Sequence, residues 1–305
     1  MNSQCIQEIT ERIEKGYQAF FKRQNKRPPT FKSKAKYSSF TLKNSGWKDL
    51  GENRIKIGSH IYKYTKSRDF IGKPKTITVK KDQVGDWFIT IVAKGETSPK
   101  SKPKTGKSAG FDFGCTTFLT VSDGTKIESP LFFKKNRKII KKASRSVSRK
   151  VKGSNNRIKA RKHLARAHRR VANQRDDWQW KLANHLVDKF DTLCFEDLDL
   201  KGMSREHGKK VSDLGFAEFL HKLDCVCSKH DKQMVKIDRW FPSSKTCSDC
   251  DFVYHNLGRY ARSWVCPQCG TVHDRDLNAS FNIHAVGAST VETESVSPAL
   301  VGCLH

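Results

Sequence analysis

The 305-residue chain has no run of 18 apolar residues, no Walker or G-x-G-x-x-G signature, no helix-turn-helix pattern, and only 31 acids against 59 Lys and Arg. The first absence excludes a membrane-spanning helix, in keeping with a mean hydropathy of −0.68. The amino terminus, MNSQCIQEITERIEKGY, lacks the charged-then-apolar layout of a secretory signal, so a cytoplasmic, reducing compartment is expected. Without a phosphate-cradling glycine loop, nucleotide hydrolysis and dinucleotide binding have no support. The shortage of acid leaves a net charge of +28, which opposes compaction and attracts polyanions, so a nucleic acid is the expected partner. Cysteine is used sparingly outside one place: four of ten fall in two C-x-x-C pairs, which argues for metal binding over a disulfide scaffold.

The missing acid is concentrated. Between Lys134 and Arg175 there are 18 Lys or Arg and no Asp or Glu, so 42 residues supply 18 of the net 28 charges. Like charges at this density repel unless phosphates neutralise them. Arg149, Lys150, Lys152, Arg157, Lys159, Arg161, Lys162, Arg169 and Arg170 are the expected nucleic-acid contacts. Trp178 and Trp180 adjoin the stretch and could stack on bases, but helix-packed core positions suit them better.

Ile6, Ile9, Ile13, Tyr17, Phe20 and Phe21 recur at helical spacing, which predicts a helix over 4–22 within an amino-terminal segment 1–32. Short strand-like runs at 38–42, 54–58, 76–80 and 87–93 predict a small β domain over 33–94, the last two joined across the turn-rich Asp82–Asp86. GETSPKSKPKTGKS, residues 95–108, has a linker's composition. From 109 to 240, strand-like and helical patterns alternate, predicting an α/β core with an inserted basic helix from about 156 to 188. A ribbon over 241–272, a last core segment over 273–286 with a short helix at 278–285, and a flexible tail over 287–305 complete the expected organisation.

Cys247-Ser-Asp-Cys250, fifteen residues, then Cys266-Pro-Gln-Cys269 has the spacing of a four-cysteine zinc ribbon: two knuckles brought together by a hairpin around a structural Zn2+. His273 lies nearby, but four thiolates already complete a tetrahedral shell. Three acids sit at predicted element ends: Asp112 in GFDFG, Glu196 after the apolar run TLCF, and Asp276 opening DLNA. If they converge, their oxygens suit Mg2+ or Mn2+. Each has a bland alternative: Asp112 holding a turn, Glu196 pairing with a lysine, Asp276 capping its helix.

GFDFG, SRKVKGSNNRIKARKHLARAHRRVANQRDDW, FEDLDLKGM and WFPSSKTCSDC…CPQCGTVHDRDLNASFNI occur in an order and spacing that resemble the TnpB (OrfB) family, transposon-encoded RNA-guided DNA nucleases related to type V CRISPR effectors. The likeness is specific over about 105–285 and looser over 4–94. It implies a RuvC-like RNase H core split by insertions, with the zinc ribbon placed before the last catalytic acid and 33–94 as a wedge-like domain. It implies Asp112, Glu196 and Asp276 as catalytic, magnesium-holding acids, with Asp274 as a neighbour. Guide RNA and double- and single-stranded target DNA would be the partners, with no membrane. Relatives of this kind usually start with a further strand and helical segment, so an amino-terminally short member is implied. A guided binder that does not cleave, and a transposase, are the alternatives.

Overall fold

The computed structural model describes residues 3–31, 33, 37–95, 101–114, 116–258 and 261–296. Part of the expected linker (96–100) and the end of the expected tail (297–305) lie outside the described residues. The chain forms two compact units, Met1–Ser98 with Ala143–Arg166, and Pro99–Lys142 with Ala167–His305.

The first unit opens with α1 (Ser3–Phe21), which buries only Cys5. Two three-stranded antiparallel sheets follow. One orders β1 (Ser39–Lys43), β5 (Lys73–Lys81) and β6 (Trp87–Lys94) as β1-β5-β6; the other is β2 (Trp47–Gly51), β3 (Arg54–Ile57) and β4 (His60–Lys63) in sequence order. Alternation along β1, β3 and β5 turns Leu42, Ile55 and Ile77 into one small core with Trp47. The β5–β6 hairpin closes on Asp82, whose Oδ1 accepts the N–H groups of Val84, Gly85 and Asp86 at 2.8–2.9 Å.

The second unit is built on a five-stranded mixed sheet in the order β11-β10-β7-β8-β9. It comprises β7 (Ser108–Phe113), β8 (Thr117–Val121), β9 (Lys126–Glu128), β10 (Thr192–Glu196) and β11 (Gln233–Ile237). β7, β8 and β9 form an antiparallel meander, while β10 runs parallel to both β7 and β11. Period-two alternation gives the sheet two faces. On one, Phe111 and Phe113 of β7 and Leu193 and Phe195 of β10 pack with Leu182 and Leu186 of α3 (Asn155–Lys189) and with Phe216 and Phe219 of α5 (Phe216–Lys229). Five of these residues are phenylalanines; Phe111 and Phe195 stack at 4.8 Å between centroids. The chain passes from β10 to β11 through α4 (Leu200–Leu214) and α5.

On the other face lies α6 (Arg275–Val296). Its approach is set by two glycines. A Cβ on Gly110 would overlap the Ser280 carbonyl and the His284 N–H, and one on Gly287 would overlap the Cys194 side chain. The helix therefore lies directly on β7 and β10. The tail expected from 287 is helical through Val296, a continuation of the face on which Ile283, Val286 and Gly287 meet Cys194 and Ile237 of the sheet.

The basic region divides into α2 (Phe132–Ser148) and α3, separated by a short loop in which Ser154 caps α3, its Oγ accepting from Arg157 N at 3.2 Å. Trp178 packs edge-on against Phe118 at 4.9 Å, as a core residue does. Trp180 departs from the core expectation: it is 42% exposed, because it falls on the solvent side of α3 two residues from Trp178.

Candidate nuclease site and cysteine ribbon

Asp112 and Glu196 reach one region by strand arithmetic. β7 and β10 are parallel, with Cys194 opposite Gly110 and Phe195 opposite Phe111. Asp112 and Glu196 are the next residues along, on the face that carries α6. Asp276 lies in the first turn of α6, on that same face. Burial, then the neighbouring charges of Asp276 and Glu196, raise the Asp112 carboxyl well above the usual carboxylate range, while Arg275 and Arg262 pull it back. Glu196 is also raised, by burial, against a lowering hydrogen bond from Ser243 Oγ (3.4 Å).

The cap of α6 is Asp274, whose Oδ1 accepts the N–H groups of Asp276 and Leu277, both at 3.1 Å. Asp274 also pairs with Lys126 of β9 at 2.7 Å, which holds its carboxyl below the usual range against the effect of burial. Capping is therefore not the duty of Asp276. Its Oδ2 instead lies 3.4 Å from Arg262 Nη1, a guanidinium contributed from beside the cysteine hairpin. Sequence reasoning missed Arg262; an arginine four residues before Cys266 carries no local signal.

The hairpin itself is β12 (Ser263–Val265) and β13 (Val272–Asp274). Among the described residues, Cys247, Cys250, Cys266 and Cys269 bring four potential ligand atoms within 4.8 Å of one another. The Cys247–Cys269 and Cys250–Cys266 Sγ separations are both 3.6 Å. Zinc–thiolate bonds of about 2.3 Å at tetrahedral angles require about 3.8 Å between sulfurs, so the four thiols fit such an ion. His273 Nε2 lies 3.0 Å from Cys247 Sγ, and its ring packs on Trp264 at 4.6 Å, a supporting contact to a ligand sulfur.

Two buried asparagines join ribbon to acids. Asn278 Nδ2 donates to Thr246 O (2.7 Å) and Ser243 O (3.4 Å), and its Oδ1 accepts from Ser248 N (3.0 Å). One turn later, Asn282 Nδ2 donates to Ser243 O (2.8 Å) and Thr246 O (2.7 Å). The loop entering Cys247 is thereby clamped to the helix that carries Asp276, and Ser243 of that loop contacts Glu196. The Asn-x-x-x-Asn spacing on a helix was the available signal.

Of the expected nucleic-acid contacts, Arg149, Lys150 and Lys152 occupy the α2–α3 loop, exposed. Arg157, Lys159, Arg161 and Lys162 lie in the first turns of α3, with Arg157 half-buried and its Nη1 on Lys150 O at 2.8 Å. Arg169 and Arg170 follow on the same helix, Arg169 half-buried. No helix among the described residues is long and apolar enough to cross a membrane.

Residues 85–207 match the family OrfB_IS605, described as "Probable transposase", and residues 216–283 match "Cas12f1-like, TNB domain". The fold is mixed α/β, and the family matched over its first part is a transposon-associated one. A Streptomyces pristinaespiralis protein described as "Putative RNA-guided DNA endonuclease" is 33% identical over 94% of this chain and 72% of its own length. "Putative RNA-guided DNA endonuclease InsQ" of Escherichia coli K12 is 32% identical over 70% of this chain and 52% of its own. A chain of the "Cryo-EM structure of the Cas12f1-sgRNA-target DNA complex" matches 69% of this chain and 45% of that one, at TM-score 0.49 and 18% identity. The chain belongs to the TnpB/OrfB family.

Proposed function

We propose that the protein is an RNA-guided DNA endonuclease of a transposable element, with the β11-β10-β7-β8-β9 sheet as a RuvC-like core and Asp112, Glu196 and Asp276 as its catalytic acids. The observation that carries the reading is that the parallel register of β7 and β10 and the first turn of α6 bring Asp112, Glu196 and Asp276 to one face of the sheet. Two further acids from β10 and α6 crowd Asp112, an arrangement that is costly unless cations neutralise it. Asp112, Glu196 and Asp276 would hold Mg2+ or Mn2+. Divalent cations bound there supply activation of water and stabilisation of the leaving oxygen in phosphodiester hydrolysis.

The chain's own residues do the rest. Asp112 is held by β7, opposite Thr120 of β8 and one residue beyond the last pair with β10. Ser243 orients Glu196 by hydrogen bond. Arg262, its side chain 69% exposed and 3.4 Å from Asp276, would turn from that acid to meet a backbone phosphate. The four cysteines would hold Zn2+ as a closed structural site that fixes the hairpin from which Arg262 extends. Arg149, Lys150, Lys152, Arg157, Lys159, Arg161, Lys162, Arg169 and Arg170 would meet the phosphates of guide RNA and of double- and single-stranded target DNA. In such a mechanism sequence is read by pairing with the guide, and the protein supplies charge and backbone contact.

The test is purification with co-bound RNA, then cleavage of matched duplex with and without Mg2+, comparing Asp112→Asn. Cleavage should fall about 10³-fold or more, and Mg2+ should raise the melting temperature of the unaltered protein but not of the variant. An Asp112→Asn chain that still cuts would end the assignment.

A further inference from the structure

Trp240 is 83% exposed, more than any other tryptophan of the chain, yet its loop is tied down at both ends. It follows β11 in Asp238-Arg239-Trp240-Phe241-Pro242. Trp240 N donates to Asp238 Oδ1 at 2.9 Å, and Phe241 N to Asp238 O at 3.2 Å, closing a turn. Arg239 pairs with Asp197, the residue after Glu196. Phe241 packs into the cluster of Cys194, Ile237 and Ile283, and Ser243 contacts Glu196. The turn holds the indole in solvent while everything around it is anchored to the acid-bearing face.

Position matters as much as exposure. Ile237 is the register partner of Glu196, so Trp240 is three residues beyond a residue beside that acid. Three residues of extended chain span at most about 11 Å, and the turn shortens this, which leaves Trp240 within one or two nucleotides of Glu196. A flat ring fixed at that distance offers a π face to a base, and every base has one. A base inside a duplex cannot use it, since both its faces are already stacked.

We propose that Trp240 is a stacking platform that grips an unpaired base of the DNA strand next to the bond being cut, holding the strand in line with the acids. The proposal rests on the nuclease reading of those acids. It assigns to Trp240 a substrate-positioning role that depends on ring area and on no charge.

The test uses the full chain with its co-purified RNA. In the Asp112→Asn background, single-stranded DNA carrying one 5-iododeoxyuridine at successive positions is irradiated and adducts are mapped by mass spectrometry. An adduct on Trp240 confined to one or two neighbouring positions is expected. In the cleaving protein, Trp240→Leu should raise KM for a pre-melted target about 5- to 100-fold with the metal requirement unchanged, and Trp240→Phe should stay within about 3-fold. An abasic nucleotide at the crosslinked position should remove the difference between Trp240 and Leu. Absence of any Trp240 adduct across the scan, or equal KM for Leu and Trp, overturns the proposal. If the unaltered chain fails to cleave at all while the Trp240 adduct forms, the nuclease reading falls and the stacking contact stands. Because the side chain is exposed, melting temperature should be the same in all three proteins.

Discussion

Replacing Asn278 by Ala tests whether the ribbon is held to the helix bearing the third acid by the asparagine clamp. Three hydrogen bonds disappear, but their losses are unequal. Thr246 O and Ser243 O keep their donor in Asn282, whereas Ser248 N–H loses its partner Asn278 Oδ1. One orphaned donor costs about 1–3 kcal/mol and the net loss of the remaining bonds about 1 kcal/mol, giving about 2–4 kcal/mol. At about 2–4 °C per kcal/mol for a unit of this size, the melting temperature should fall by about 4–16 °C. Asn282→Ala should cost less, about 1–2 kcal/mol, because Asn278 still serves both carbonyls. The double variant leaves Thr246 O and Ser243 O with no asparagine donor, so its cost should exceed the sum of the singles by about 1 kcal/mol or more. Differential scanning calorimetry of the four proteins reads this coupling directly. Additivity within about 0.5 kcal/mol would refute the shared clamp.

Lys232, with a side chain 1% exposed, pairs with Asp191 at 2.9 Å and donates to Val187 O at 2.6 Å near the end of α3, so Lys232→Met should cost about 3 kcal/mol by chemical denaturation. Despite burial, the N–H groups of Thr105 and Gly106 and the Lys232 ammonium hold Asp191 down at about 2. Being depressed, it contributes stability above its unfolded value near 3.8 that is lost as pH falls from about 4 to about 2; acid titration of the Lys232→Met protein should show a shallower loss in that window. Exchanging Arg149, Lys150 and Lys152 together for Gln should flatten the log–log salt dependence of nucleic-acid binding by about 2–3, at 0.7–0.9 per phosphate, with melting temperature unchanged.

The apolar runs around GFDF and TLCF made β7 and β10 legible, each with an acid at its end, but not that both acids share the face covered by α6. β2 and β4 were missed because WKDLG and HIYK bury one residue between them and carry no alternating pattern to read. The Ser/Thr/Val composition after 287 suggested a loose tail, but β-branched propensity is weak beside the burial of one face of α6 on β10. Trp178 and Trp180 show the same limit on α3: two positions apart on a helix means different sides, so composition could not assign both. The cysteine spacing was informative because ligand geometry constrains it. Arg262 was not, since its contact with Asp276 exists only after the hairpin folds.

The spacing between α6 and the sheet is fixed by hydrogen atoms, at Gly110 and Gly287. Any attempt to transplant this helix onto another scaffold, or to stiffen the junction with alanine, would lever Asp276 away from Asp112 without touching either acid. Two of the smallest side chains in the molecule thus act as its gauge blocks.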